Sequence, residues 1–197
     1  MAVTTEQIKE LRAMTSAGML DVKKALEDAD GDLQKAANLL RERGIAKADK
    51  KTDRAANEGV VGTYVHHNGK LAVLVEINSE TDFVARNEVF KDLARNLAMH
   101  VAMANPSYTR REDVPAEVLA AEREALLRQT IEEGKPANIA EKIVEGRLNK
   151  FISEIVLLEQ PYLKDDKKTV DDVVKQAAAT LGENLQVGRF ARIAVGQ

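Results

Sequence analysis

Two β-rich runs, GVVGTYVHH and KLAVLVEIN, flank the dipeptide Asn68-Gly69, and this arrangement constrains the fold more than any other feature of the chain. Asn-Gly between two apolar runs is typical of a tight β-hairpin turn, because both residues adopt positive φ at little cost. The second run carries too few polar residues for a sheet with one wet face. The sequence therefore predicts a hairpin with helices on one face and further protein on the other.

The rest of the chain has mainly helical periodicity, which fits a composition of 44% apolar and 31% charged residues. Helices are predicted at three places in Thr4–Gly44, at about Asn87–Ala104, at two places in residues 116–159 and at Thr169–Gly182. The segment NLQVGRFARIAV is predicted to be a strand that joins the hairpin, and QPYLKDDKKT is predicted to be a loop. The fold class is therefore α+β, with a three-helix module followed by a helix-rich core that holds a small antiparallel sheet.

Three segments follow from this pattern. Residues 1–45 form the three-helix module, which is too small to be more than marginally stable alone. Residues 46–57 form a charged linker with few large apolar side chains. Residues 58–197 form the α+β core.

Local signals set the expected bounds of the module's helices. Thr4 and Gln7 predict a capping box at the first helix, and Asp32 predicts a cap for the third. Met19 falls on the expected inward face of the second helix. Gly44 is expected to end the third helix.

Composition argues against several function classes. The 29 basic and 32 acidic residues give a net charge of −3, whereas a general nucleic-acid binder needs a basic face. The chain has no cysteine, so disulfides, thiolate zinc sites and cysteine nucleophiles are excluded. Neither common glycine-rich phosphate-binding pattern occurs, which argues against a nucleotide-hydrolysing or dinucleotide enzyme. The N-terminus lacks a signal-peptide core and Leu71–Val75 is too short to span a bilayer. We therefore expect a cytoplasmic protein that contacts neither nucleic acid nor membrane directly.

The histidines are the obvious candidates for metal or acid–base chemistry. His66 and His67 are neighbours, and neighbouring residues of a strand point to opposite faces, so they would be poor joint ligands. A hairpin-end position and a partner contact are the main alternatives for this pair. His100 lies near the edge of the apolar face of the long helix, which favours a structural histidine. We predict no catalytic residue and no metal site.

The segment NSETDFVARNE, from Asn78 to Glu88, spans the expected junction between the second strand and the long helix. Phe83 is conspicuous there, because the chain has only four phenylalanines, three tyrosines and no tryptophan. Its ring could staple back onto the following helix, with Asp82 as the cap. Alternatively, Phe83 could be an exposed aromatic anchor beside a charge, which is typical of an interface hot spot.

Several segments resemble the family of bacterial translation elongation factor Ts, the guanine-nucleotide exchange factor of elongation factor Tu. The segment LRAMTSAGMLDVKKALEDADGDLQKAANLLRERGIAKADKK is similar to the family's ubiquitin-associated-like helical module, and SETDFVARNEVF is similar to its most characteristic core motif. Supporting matches are LAMHVA, GKPANIAEKIVEGRLNKF, LLEQPY and GENLQVGRF. Together they span essentially the whole chain in the expected order.

The resemblance favours the anchor interpretation. It implies that Asp82 and Phe83 intrude into the nucleotide-binding domain of elongation factor Tu near its magnesium site, within a partner-binding segment that also includes Thr81 and Val84. The ring would displace partner helices, and the carboxylate would disturb the groups that organise Mg²⁺. The implied function is to bind the GDP complex of elongation factor Tu and promote GDP release, so that GTP can rebind during elongation. Such a factor is not an enzyme and needs no cofactor, because GDP, GTP and Mg²⁺ are bound by the partner.

Two further contacts follow from the same resemblance. The family's N-terminal module packs on the partner's nucleotide domain, which makes Leu11, Met19 and Leu20 candidates for that contact. The alternative for each of the three is a place in the core of the helical bundle. A histidine near the family's hairpin approaches the partner's phosphate region, and His66 or His67 is the matching position, although the hairpin end here differs in length.

The resemblance also implies a homodimer, with residues 58–197 as the dimerisation domain. Longer members carry a duplicated core with an inserted coiled coil, whereas the hairpin occurs once here. Short members resemble half of that core and dimerise to complete it, which implies pairing through the sheet and a two-plus-two complex with elongation factor Tu. In some short relatives a cysteine of the last strand links the chains. Ala191 takes that place here, so the dimer would be held without a disulfide.

Two other function classes remain open from the sequence. The chain could be a non-catalytic interaction and dimerisation module, in which case replacing Phe83 would leave nucleotide release on a partner unchanged. It could also be a small hydrolase that uses His66 or His67 with nearby carboxylates, which would turn over substrate without any partner. An exchange factor acts only on a GTPase loaded with GDP.

Overall fold

The computed structural model describes residues 3–15, 17–49 and 51–196. Met1, Ala2, Ser16, Lys50 and Gln197 lie outside the described residues, so the junction between the first two predicted helices and the predicted linker are each described only in part. The described residues form the helices and strands α1 (Thr5–Thr15), α2 (Met19–Asp28), α3 (Leu33–Asp49), β1 (Glu58–Val65), β2 (Leu71–Ser79), α4 (Asp82–Ala85), α5 (Glu88–Ala104), α6 (Ala116–Glu132), α7 (Ala137–Ile155), β3 (Pro161–Tyr162), β4 (Asp165–Thr169), α8 (Val170–Leu181) and β5 (Gln186–Ala194). The predicted α+β class is confirmed.

The strands form two small sheets. One has three strands in the order β1-β2-β5, and the other pairs β3 with β4 in antiparallel fashion. The Val195 N–H donates to the Lys70 carbonyl at 2.9 Å, which brings the end of β5 next to the start of β2 and makes the two strands antiparallel. The predicted joining of the last strand to the hairpin is therefore confirmed.

The hairpin between β1 and β2 closes at its predicted place. The His66 N–H donates to the Leu71 carbonyl, and the Gly69 N–H donates to the His66 carbonyl, both at 2.8 Å. Gly69 has a φ of +68°, while Asn68 is not among the residues with positive φ. The turn therefore relies on glycine alone for the left-handed conformation, with four residues between the last paired positions.

Contacts along the chain define two compact units. The first comprises Met1–Val60, Ile77–Leu93 and Asp172–Gln186, and the second comprises Val61–Glu76, Ala94–Asp171 and Val187–Gln197. The first unit thus contains the three N-terminal helices, the TDFV motif and most of α8. The division at residues 45 and 58 stays a prediction.

The three-helix module has a small aliphatic core, and its predicted caps are confirmed. The Thr4 N–H donates to Gln7 Oε1 at 2.9 Å and the Gln7 N–H donates to Thr4 Oγ1 at 3.2 Å, which is a capping box. The Lys35 N–H donates to Asp32 Oδ1 at 2.9 Å, so Asp32 caps α3. The core is formed by Leu11, Val22, Ala25, Leu26, Ala29, Ala36 and Leu40.

Two expectations for the module are wrong. Met19 does not point into the core but is 59% exposed, because it is the first residue of α2 and precedes the turn that packs through Val22. Gly44 does not end α3, which continues to Asp49. A Cβ built on Gly44 would lie 2.9 Å from the Cβ of Ala179, so this glycine serves a close approach to α8 instead of a helix end.

The segment QPYLKDDKKT is also not a simple loop. Pro161–Tyr162 and Asp165–Thr169 pair as a two-stranded ribbon. The run of Asp and Lys does not predict strands, because those residue types are uncommon in strands. The ribbon lies in the second unit, where the Leu163 N–H donates to His100 Nδ1 at 3.2 Å.

The hairpin sheet has two different faces within the second unit. Inward residues such as Val73 and Val75 are buried, and Gly62 lies against the backbone of α5 at Ala94, so the predicted helical cover on one face is confirmed. The outer face carries exposed apolar side chains: Val61, Val65, Leu74, Ile193 and Val195. It also carries an ion pair between Arg189 and Glu76 at 3.0 Å. The protein predicted to cover this second face is therefore not supplied by the described residues of this chain.

Candidate partner-binding site

The TDFV motif forms a separate turn of helix between the sheet and α5. Thr81 has extended backbone angles, and its hydroxyl oxygen accepts the Val84 N–H at 3.5 Å, so Thr81 is the N-cap of α4. Asn87 Oδ1 accepts the Val89 N–H at 2.8 Å at the start of α5. Asp82 does not serve as a cap, and its carboxylate pairs with Arg86 at 2.9 Å.

Phe83 is presented to solvent by this turn. Its side chain is 83% exposed, whereas the next two residues, Val84 and Ala85, are buried beneath it. The ring therefore does not staple back onto α5. The other three phenylalanines are buried or half-buried, so Phe83 is the only one of the four with an exposed side chain. We call Thr81–Val84 the wedge.

Residues just after α8 hold the base of the wedge. The Thr81 N–H and hydroxyl donate to the two carboxylate oxygens of Glu183, at 3.0 and 2.5 Å. The Asn184 N–H donates to Glu80 at 2.6 Å. That hydrogen bond, with help from the positive charge of Arg54, holds the pKa of Glu80 below its usual value. Glu80 therefore stays ionised beside the wedge at neutral pH.

The sequence reasoning missed Glu183 and Asn184. Glu183 follows a predicted helix-ending glycine, and Asn184 is the first residue of the predicted last strand, whereas β5 begins at Gln186. Nothing local distinguishes the two residues from ordinary polar residues at such a junction. Their partners lie about a hundred positions earlier in the chain, 102 residues for the Glu183–Thr81 pair. The only local signal is Gly182, whose φ of +78° turns the chain sharply after α8.

The three candidates in the N-terminal module lie in different environments. Leu11 is fully buried in the module core, which matches the alternative considered for it. Leu20 is 85% exposed and Met19 is also largely exposed, both at the start of α2. The module therefore exposes Met19 and Leu20 to solvent, while Leu11 can act only by holding α1 in place.

His66 and His67 lie beyond the end of β1, in the hairpin turn. The expectation that they point to opposite faces is therefore wrong, because the strand alternation stops at Val65. Their ring centroids are 4.2 Å apart with a tilt of 57°. The Tyr64 hydroxyl and His66 Nδ1 are hydrogen-bonded at 2.9 Å, which anchors one ring of the pair.

His100 is a structural histidine, as its position on α5 indicates. It is 1% exposed, and both of its ring nitrogens are hydrogen-bonded, to Gln160 Oε1 at 2.9 Å and to the Leu163 N–H at 3.2 Å. Its ring stacks on Tyr162 with centroids 6.0 Å apart. This cluster belongs to the interior of the second unit and leaves no ring atom for a ligand.

The described residues show neither a metal-binding cluster nor a membrane-spanning helix. Within residues 3–15, 17–49 and 51–196, no group of three His, Cys, Asp or Glu side chains is placed to hold a metal ion. In the same described part of the chain, no helix is both long enough and apolar enough to cross a bilayer. The strongest candidate site therefore remains the wedge.

The first unit combines an exposed phenylalanine on a capped turn with an exposed apolar edge on a helical module. This combination is typical of a protein that acts by binding another protein.

Residues 2–197 match the family described as Elongation factor TS. Relatives named Elongation factor Ts include that of Maridesulfovibrio salexigens, 55% identical over 98% of this chain and 94% of the relative. Those of Carboxydothermus hydrogenoformans and Geobacter sulfurreducens are 53% and 51% identical, over 99% and 100% of this chain and 90% and 91% of the relatives. The chain belongs to the elongation factor Ts family.

Proposed function

We propose that this chain binds the GDP complex of elongation factor Tu and promotes GDP release through its wedge, so that GTP can rebind during translation elongation in the cytoplasm. The observation that carries the proposal is the 83% exposure of Phe83 on a capped turn within the family's characteristic motif. Phe83 would enter the nucleotide-binding domain of the partner, and Asp82 would act on the groups around its Mg²⁺. No covalent bond changes, so the chain is an exchange factor and not an enzyme.

The energetics of exchange follow from linkage. A factor that binds the nucleotide-free partner more tightly than the GDP-bound partner must weaken GDP binding by the same ratio. Each tenfold weakening requires about 1.4 kcal/mol of differential binding. Mg²⁺ and the nucleotide phosphates share coordination, so disturbing the metal also loosens the nucleotide. The protein thus needs no cofactor of its own, because nucleotide and metal belong to the partner.

The exposed edge of the module supplies a second contact in this proposal. Met19 and Leu20 keep their apolar side chains in solvent, which suits burial against the partner's nucleotide domain. A buried aromatic anchor contributes about 2 kcal/mol or more, so additional contacts are needed to make exchange strong. Leu11 supports this edge from the module core, and His66 or His67 remains the candidate contact to the partner's phosphate region.

The direct test is release of a fluorescent GDP analogue from elongation factor Tu, followed by stopped flow with wild type and Phe83→Ala. We expect wild type to accelerate release strongly and the variant to lose about thirtyfold, the equivalent of about 2 kcal/mol for a hot-spot aromatic. Ile131→Ala is the matched control, because Ile131 is an exposed apolar residue outside the motif.

The outcomes separate the alternatives. Acceleration that survives Phe83→Ala would keep exchange activity but remove the wedge from its mechanism. A well-folded wild type that fails to accelerate release would favour an interaction and dimerisation module. Hydrolysis of substrate by the chain without elongation factor Tu would favour the hydrolase alternative.

We also propose that two copies pair through the outer face of the hairpin sheet and form a two-plus-two complex with elongation factor Tu. The exposed apolar side chains on and beside β1, β2 and β5 form a face that a second copy can cover, which agrees with the pairing through the sheet that the family resemblance implies. Ala191 lies on β5, so a dimer formed here is held by burial and not by a disulfide.

A charge on this face is expected to break the dimer. Ile193→Glu places a carboxylate in the apolar contact of both copies, and we expect dissociation to become at least about tenfold more favourable. Sedimentation equilibrium over a range of concentrations measures this change. Met103→Glu, at an exposed apolar position on α5, is the control that should leave the association unchanged. A wild type that is monomeric at all concentrations would contradict the pairing.

A further inference from the structure

The carboxylate of Glu183 holds one residue of the wedge with two hydrogen bonds. Its Oε2 accepts the Thr81 N–H at 3.0 Å and its Oε1 accepts the Thr81 hydroxyl at 2.5 Å. The hydroxyl of Ser79 donates to the Thr81 carbonyl at 3.0 Å. The N–H, the hydroxyl and the carbonyl of Thr81 are therefore all engaged by residues outside α4.

The wedge cannot fix its own orientation. The helix α4 has only four residues, and its last-turn bonds run from Ala85 N–H to the Thr81 carbonyl at 3.2 Å and from Arg86 N–H to the Asp82 carbonyl at 3.0 Å. A single turn is unstable alone, because nucleation fixes several dihedral angles for few hydrogen bonds. The direction in which Phe83 points therefore depends on the contacts that hold Thr81 at one end of the turn, together with the burial of Val84 and Ala85 at the other.

Glu183 is itself held on a firm base. Gly182 turns the chain, and its carbonyl accepts Lys51 Nζ at 2.5 Å. The neighbouring Asn184 is 3% exposed, and its side-chain amide donates to the carbonyls of Thr52 and Arg54 at 3.2 and 2.7 Å. A buried amide with its hydrogens satisfied is costly to move. These hydrogen bonds fix the turn after α8, which in turn fixes the position of Glu183.

We infer that Glu183 is a positioning residue of the exchange site, acting through Thr81 to hold Phe83 in the orientation that enters the partner. This inference rests on the exchange function proposed above. Preorganisation increases affinity because the ordering cost of the binding group is met before the partner arrives. Without Glu183 the wedge remains present, but it must be ordered during each encounter.

The test measures GDP release from elongation factor Tu at concentrations of the factor below saturation. We expect Glu183→Ala to release GDP three- to tenfold more slowly than wild type, in line with the cost of ordering one short segment. Glu183→Gln keeps one acceptor oxygen for Thr81, so its rate of GDP release should lie between those of wild type and Glu183→Ala. Glu133→Ala is the matched control, because Glu133 also accepts two hydrogen bonds, from Arg147 at 3.1 and 2.7 Å, outside the first unit.

A double-mutant cycle separates positioning from general stabilisation. If Glu183 acts through Phe83, adding Glu183→Ala to Phe83→Ala should slow release by less than twofold further. An equal loss in both backgrounds would overturn the inference. Circular dichroism and thermal melts of each variant show that the comparison is made between folded proteins.

A second measurement reports on the wedge without the partner. The chain contains no tryptophan, so Phe83→Trp places the protein's single tryptophan on the wedge, where its fluorescence can be recorded. We expect time-resolved anisotropy to show faster local motion when Glu183→Ala is added and no change when Glu133→Ala is added. Unchanged motion together with unchanged release would overturn the positioning role while the exchange function stands. A wild type without exchange activity would overturn both.

Discussion

Gly62→Ala is expected to destabilise the fold by about 3 kcal/mol or more, which places it among the most damaging single methyl additions this chain can receive. A Cβ built on Gly62 would lie 2.2 Å from the carbonyl oxygen and 2.4 Å from the carbonyl carbon of Ala94. Those atoms belong to the backbone of α5 and are tied into the helix, so neither can yield as a side-chain tip would. Strand and helix would have to separate.

Chemical denaturation of wild type and Gly62→Ala measures the difference in their free energies of unfolding. In thermal melts, the midpoint of the variant should lie about 6–12 °C below that of wild type. The control is Gly146→Ala, because Gly146 lies inside α7 and nothing lies within 4 Å of its added Cβ. Alanine there should raise the free energy of unfolding by about 0.5–1 kcal/mol. Near-wild-type stability for Gly62→Ala would show that α5 does not press on β1.

Replacing His100 with leucine is expected to cost about 3 kcal/mol at pH 8. The Leu163 N–H donates to Nδ1, so Nε2 carries the proton and donates to Gln160 Oε1. The Gln160 amide in turn donates to the Glu154 carbonyl at 2.7 Å, which fixes its orientation. Leucine would leave the part-buried Leu163 N–H and the buried amide oxygen of Gln160 without partners, and an unpaired buried polar group costs about 1–3 kcal/mol.

The same site predicts a pH dependence with a definite sign. Burial lowers the pKa of His100 below its ordinary value, and the hydrogen bond to Gln160 opposes that shift only in part. As the pH falls below about 6.5, the unfolded chain therefore binds a proton at this residue before the folded chain does. The free energy of unfolding of wild type decreases by at most about 1.4 kcal/mol per pH unit for this one group.

Urea denaturation at pH 8.0 and pH 5.5 tests both parts of this prediction. The stability difference between wild type and His100→Leu should be large at pH 8.0 and should narrow at pH 5.5, because only wild type loses stability through this residue. Carboxylate pairs contribute equally to both proteins and cancel in the comparison. A difference that stays constant would contradict the role of the neutral imidazole.

Features decided by neighbouring residues could be predicted from the sequence. The Thr4–Gln7 capping box, the cap at Asp32 and the hairpin turn at Gly69 each depend on residues within a few positions of one another. Helix periodicity likewise places Phe90, Leu97 and Val101 in the core, where all three are buried. In these places local preference and tertiary packing agree.

Features decided by distant residues could not be predicted. Gly44 has the local signal of a helix end, yet α3 continues past it because the residue it must accommodate, Ala179, lies in α8. Met19 has inward periodicity, yet the module core is closed by Leu11 and Val22 and leaves it outside. The charged ribbon of β3 and β4 forms because the two short strands pair with each other, which no residue preference in DDKKT indicates.

Some features of the wedge are decided by neighbouring residues and others by distant ones. The motif itself stands out in the sequence, and its family resemblance favours an exposed Phe83. The caps differ from the expectation: Asp82 is the cap that the sequence suggests for the long helix, whereas Thr81 caps α4 and Asn87 accepts the Val89 N–H at the start of α5. The contacts of Glu183 and Asn184 were beyond reach, because a hydrogen bond between positions 102 residues apart leaves no periodic trace in a single sequence.

That separation has a consequence for the order in which the working protein comes into being on the ribosome. Thr81 is synthesised 102 residues before Glu183, which at about 5–20 residues per second corresponds to roughly 5–20 s of synthesis. During that interval the aromatic turn has been made but its carboxylate acceptor does not yet exist, and β2 still lacks its neighbour β5. A nascent chain therefore carries Phe83 before Glu183, the residue that orients it, has been synthesised.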